Sequence, residues 1–184
     1  TAAGREVRDG GGVSPDIEVK QERLPNILFY LVRDNLIFDY ATDYCLKHPA
    51  IASAKEFELT DADYEEFKNK VKGADFKYDQ QSEKILNTLK EAAEFEGYMK
   101  DASDEFKALE NKLKHNLDRD LDYFSKDIKK MIAEEIIKRY YYQEGAIIQQ
   151  LKDDKDLDEA VKVLTNPERY QQILSVTAVT AKKE

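Results

Sequence analysis

Beyond Val19 the chain is nearly free of the residues that break helices. Of seven glycines and four prolines, Gly4, Gly10, Gly11, Gly12 and Pro15 fall within the first fifteen positions, and only Pro25, Pro49, Gly73, Gly97, Gly145 and Pro167 interrupt the rest. Inside a helix Gly and Pro cost about 1 and 3 kcal/mol relative to Ala. Long stretches without them can be helical, and apolar residues recurring in steps of three and four point the same way. Eleven tyrosines and eight phenylalanines are too many for a disordered chain. A length of 184 residues suits one domain, or one domain with an appendage.

The glycine-rich start reads differently. Residues 4 to 20 predict two short strands around a loop opening with Asp9-Gly10, with Ile17 and Val19 alternating with Glu18 and Lys20. A lone hairpin is marginal in water. No further strand-like run follows, so this hairpin needs a sheet that the sequence does not contain. The expected fold is mainly α, a short N-terminal β-hairpin followed by an elongated multi-helix array with one long helix. Residues 1–20 are read as the hairpin unit and residues 21–184 as a helical accessory domain.

The helices can be placed from their boundary signals. One helical segment is expected from Leu24 to His48, opened by Pro25 and stopped by His48-Pro49. It is apolar on more than one face. Ile27 to Val32 are consecutive apolar residues, but Arg33, Asp34, Asp39 and Asp43 follow. Each would cost about 2.5–3.5 kcal/mol at a bilayer centre, so the segment is not a membrane span. A helix apolar nearly all round is a central one or one docked on both sides, which makes Ile27, Phe29 and Leu31 candidate interface residues.

Thr60-Asp61-Ala62-Asp63 resembles a capping box, with Gly73 as the stop. A further stripe, Ile85, Leu86, Leu89, Ala92 and Ala93, ends near Gly97. Much of residues 102 to 152 is expected to be helix. Residues 118 to 151 alone would run about 50 Å, against a radius of gyration near 16 Å for a compact chain of this length, so the array is elongated or the helix bends. His115-Asn116 and Gly145 are the candidate breaks. Asp156 with Glu159 is expected to cap a short helix, and Asn166-Pro167 to open the last.

The chemistry of known sites is missing from this pattern. Thirty-eight acidic against 29 basic side chains give a net charge of −9. No clustered Lys or Arg is available for nucleic acid or anionic lipid. His48 and His115 stand alone in the sequence, without metal-ligand spacing. Asp118-x-Asp120-x-Asp122 opens like a calcium loop, but Tyr123 stands where that loop requires Gly and Lys129 where it requires the closing Glu. An acidic first turn that suits the helix dipole is the better reading. None of the six serines has the strained turn or oxyanion setting of a nucleophile. Gly10-Gly11-Gly12 lacks the Lys of a phosphate-binding loop. Cys45, the single cysteine, reads as a buried thiol. No catalytic residue, metal or cofactor is assigned. Three consecutive aromatics, Tyr140, Tyr141 and Tyr142, point about 100° apart on a helix. They are either two core tyrosines and one surface residue, or an interface to another domain.

Gly4-Arg5, then Asp9-Gly10-Gly11-Gly12-Val13 and Pro15-Asp16-Ile17-Glu18-Val19, resembles the end of the catalytic core of carboxyl-terminal processing, or tail-specific, serine peptidases. This match covers about sixteen residues. The remainder, with Arg139-Tyr140-Tyr141-Tyr142-Gln143-x-Gly145, is similar to the helical C-terminal extension of longer members. The resemblance implies a parent enzyme with a PDZ domain and a Ser/Lys dyad, acting in the periplasm or otherwise outside the cytoplasm. The dyad would lie upstream of residue 4. Thr1 in place of an initiator Met fits a preceding segment.

On this reading the helices serve substrate gating, adaptor contact or self-association. Their partners are the parent's own peptidase core and PDZ domain, and protein substrates or an adaptor. The competing reading is a free-standing helical interaction module, an adaptor or scaffold, whose N-terminal strand arm pairs with extended peptides.

Overall fold

A computed structural model describes residues 15–20 and 23–175. Most of the expected hairpin, residues 4 to 20, lies outside the described residues. Within them the chain is mainly helical, with no strand. The described residues divide into two compact units, residues 23–149 and residues 15–20 with 150–175.

The larger unit begins with α1 (Asn26–Arg33) and α2 (Leu36–Lys47). The sequence predicted one helix here. The break falls at Asn35, whose φ of 58° is left-handed, a conformation that Asn tolerates better than most residues. His48 closes α2 in an extended conformation before Pro49, as expected. In α3 (Asp61–Gly73) the capping box is present: the Asp63 N–H donates to the Thr60 hydroxyl, and the Thr60 N–H to the Asp63 carboxylate.

α4 (Gln81–Phe95) and α5 (Ser103–Leu113) form a hairpin through a 3-10 turn at Tyr98–Lys100. Glu96 caps α4, and Gly97 at φ 83° supplies the left-handed residue after it. The predicted break at His115-Asn116 is found: Asn116 caps α6 (Leu117–Tyr123), its carboxamide accepting from the Arg119 N–H at 3.0 Å. The long helix is α7 (Ser125–Gln150), and it is broken at Tyr142, with φ 55° and ψ −151°.

The core of this unit collects Ile27, Leu28 and Leu31 of α1, Tyr40 and Tyr44 of α2, Phe67 and Val71 of α3, Leu121 of α6, and Ile128, Ile132, Ile136 and Ile137 of α7. Phe67 is fully enclosed, so its truncation to Ala would cost about 3–5 kcal/mol. Tyrosine hydroxyls tie the core together at its edges. Tyr40 donates to Asp63 O at 2.7 Å and Tyr64 to Leu121 O at 2.6 Å. Tyr78 donates to the buried Asp120 carboxylate at 2.5 Å, which also accepts from Gln80 Nε2 at 2.7 Å.

The smaller unit contains α8 (Lys155–Leu164) and α9 (Pro167–Leu174) packed together. The cap of α8 is Asp154, whose carboxylate accepts from the Leu157 N–H at 2.9 Å, and not Asp156. Asn166 caps α9 with Pro167 at its first position, as expected. Neither helix has a fully buried residue.

Candidate interaction surface

The apolar run of α1 divides between two sides. Ile27, Leu28 and Leu31 are buried in the core, whereas Phe29 is 64% exposed and Val32 and Phe38 are more than half exposed. Of the three α1 residues singled out from the sequence, only Phe29 faces outward. Ile27 and Leu31 lie one helical turn apart on the inner side.

Val32, Ile37 and Phe38 join Met131 of α7 to line a cavity of about 330 Å³, rimmed by Glu134, Glu135 and Lys138. Arg139 lies beside Phe38. Its guanidinium lies 4.6 Å from the centre of the Phe38 ring. It also donates to Phe38 O and Thr42 Oγ1, both at 3.1 Å, and to Glu135 at 2.8 Å. An arginine held in this way presents a fixed planar cation over an aromatic face.

The Tyr140–Tyr142 run resolves into three distinct roles. Tyr140 donates to His48 O, and burial, followed by the neighbouring Cys45, pushes its hydroxyl up to about 12. Tyr141 donates to Ala52 O at 3.1 Å. Both therefore hold the loop after α2. Tyr142 is 79% exposed and occupies the helix break. Cys45 is half-buried against this core, not fully enclosed.

The remaining sequence candidates have structural partners. Asp118 pairs with Lys72 and Asp122 with Lys68, while Asp120 takes its bonds from Tyr78, Gln80 and Arg119. Ser53 donates to Glu56 at 2.7 Å on the surface. His48 stacks on Tyr44, and His115 meets the edge of Tyr78. No helix among the described residues is long and apolar enough to cross a membrane.

A model described as the C-terminal helical domain of a probable PDZ-protease matches residues 27–164. This chain belongs to that family. The match opens in the first turn of α1 and closes on the last residue of α8. The PDZ-protease relation expected from the glycine-rich start and from the Arg139–Gly145 stretch is thus supported by a match that covers the helices. It implies a parent with its own peptidase and PDZ domains. No curated protein and no solved structure matches the chain.

Proposed function

We propose that this PDZ-protease helical domain is a non-catalytic accessory region of a carboxyl-terminal processing serine endopeptidase that works outside the cytoplasm. It docks on the peptidase and PDZ portions of its own parent chain through the outer face of α1 and α2. From there it gates substrates or receives an adaptor. The observation that carries this reading is the two-sided helix pair: with its inner residues already in the core, Phe29, Val32 and Phe38 remain exposed, and Val32 and Phe38 line one cavity. Clustered exposed apolar residues mark an interaction surface.

The test is Phe29→Asp, made both in the 184-residue chain and in the full-length parent. The substitution is on the surface, so it should change the unfolding free energy of the chain alone by less than about 0.5 kcal/mol. In the parent, turnover of a protein substrate should fall at least about tenfold, equivalent to about 1.4 kcal/mol. Limited proteolysis should then release the helical domain. Unchanged turnover and unchanged proteolysis would remove the docking role. A serine-directed fluorophosphonate checks the division of labour: the parent should be labelled and the folded 184-residue chain should not.

A further inference from the structure

We propose that the tip of the α4–α5 hairpin is a docking site for a basic amphipathic protein surface, an apolar face flanked by lysine and arginine. The site is separate from the α1–α2 face and does not depend on how that face is used.

Three observations lead there. First, the tip has a defined shape. The Glu96 N–H donates to Ala92 O at 3.0 Å and the Gly97 N–H to Glu94 O at 3.1 Å, and Gly97 at φ 83° turns the chain, a conformation strained for any other residue type. Lys90 Nζ meets Glu110 at 2.7 Å, clamping α4 to α5 below the turn. Second, aromatic rings flank that turn on the outside. Phe95 is 94% exposed and Tyr98 62% exposed. A phenylalanine that stays in water on a clamped turn is an anchor without its pocket, and aromatic anchors of this kind dominate protein interfaces.

Third, the charge around the tip is unmatched. Among the described residues Glu91, Glu94, Glu96, Asp101 and Glu105 form no ion pair or side-chain hydrogen bond, while the neighbouring Lys90 and Lys107 are taken by Glu110 and Asp104. On the surface of the larger unit elsewhere, by contrast, Asp43, Asp61, Glu66, Asp118 and Asp122 are each matched by a lysine of another element. An apolar centre with a charged rim is the anatomy of a protein interface. The sign of the rim selects the partner. Anionic lipid would be repelled, and so would a second copy of a chain with net charge −9. A basic protein surface is attracted and steered.

A labelled amphipathic helical peptide of leucine and lysine provides the probe, titrated into the 184-residue chain by fluorescence anisotropy at physiological salt. Phe95→Ala should weaken binding at least about tenfold, equivalent to about 1.4 kcal/mol. Replacing Glu91, Glu94 and Glu96 together by Gln should weaken it by a similar factor and flatten its salt dependence. Replacing the exposed Glu144, Asp158 and Glu168 by their amides removes the same charge elsewhere and should change affinity less than about twofold, as expected when long-range charge is screened.

Equal losses from the two triple variants, or full affinity in Phe95→Ala, would overturn the proposal by showing attraction to net charge alone. Phe95-dependent dimerisation in sedimentation, or Phe95-dependent partition into phosphatidylcholine vesicles, would also overturn it by assigning the ring to another occupant. All substitutions are on exposed side chains, and unchanged circular dichroism with an unchanged urea midpoint confirms that each variant is folded.

Discussion

Tyr142 and Gly145 together decide the course of α7. On an unbroken helix Tyr140 and Gln149 are nine positions apart, which places them on opposite sides at about 100° per residue. Yet both serve the loop after α2: Tyr140 bonds His48 O, while Gln149 Nε2 donates to Ala54 O at 3.0 Å and Phe57 O at 2.9 Å. The break at Tyr142 supplies the change of phase. It brings Gly145 so close that an added Cβ would stand 2.4 Å from Tyr141 Cβ and 2.7 Å from Ile137 Cγ2. Gly145 is therefore required by the break without being its hinge. Gly145→Ala should destabilise the chain by about 1–3 kcal/mol, the cost of overpacking. Tyr142→Gly should stabilise it by about 1 kcal/mol, because a residue at positive φ outside the helical regions carries strain of that order. Urea unfolding measures both. Opposite signs are the expected result, and a neutral Gly145→Ala would mean that the break does not need the close approach.

At the scale of elements, what could be read from the sequence was what local side-chain chemistry dictates. Thr60 with Asp63, Asn116, Asn166 with Pro167, Gly97 and His48-Pro49 bound their helices where those residues are. The α1–α2 break could not be read, because Asn35 is an ordinary helix residue unless tertiary packing asks for φ 58°. Nor could Tyr142, which carries no breaker signal. The candidate surface was only partly legible for a related reason: when Ile27 to Val32 are all apolar, periodicity does not separate Ile27 and Leu31, which are buried, from Phe29, which is not. Long-range partners such as Tyr78 with Asp120 are invisible to spacing altogether. The α1–α2 break can be tested at Asn35. Asn35→Gly should be neutral within about 0.5 kcal/mol, whereas Asn35→Val should cost about 1–2 kcal/mol, since a β-branched residue resists the left-handed region. Equal stabilities of the two variants would argue for a continuous helix in solution.

Across the whole molecule, two kinds of titratable contact hold the larger unit and set the pH range in which it is stable. α3 is their hub: Asp61 pairs with Lys129 of α7, while Lys70 and Glu66 reach Asp43 and Lys47 of α2. Hydrogen bonds from these lysines hold the Asp43 and Asp61 carboxyls below their ordinary values, and those from Lys84 and Tyr30 do the same for Asp79. A carboxylate depressed in the folded state contributes stability that is present above its unfolded value, about 3.9, and is lost as pH falls below it. Tyr40, Tyr64 and Tyr78 shift the other way, their hydroxyls raised chiefly by burial. Their contribution is complete below the unfolded value of about 10 and is lost as pH rises through the higher folded values. Lys47 and Lys84, raised by their carboxylate partners, add to that alkaline side. Stability should therefore be flat between about pH 5 and 9 and fall on both sides. Salt separates the causes. The acidic limb rests on exposed pairs and should shrink in about 1 M salt, where screening acts over roughly 3 Å, whereas the alkaline limb rests chiefly on tyrosine burial and should persist but for the part that Lys47 and Lys84 add. Phenolate absorbance and far-UV circular dichroism, followed together above pH 10, give the decisive measurement. Ionisation of the core tyrosines should coincide with loss of helix. Complete ionisation with the helices intact would show that these hydroxyls are open to water and do not tie the core at its edges.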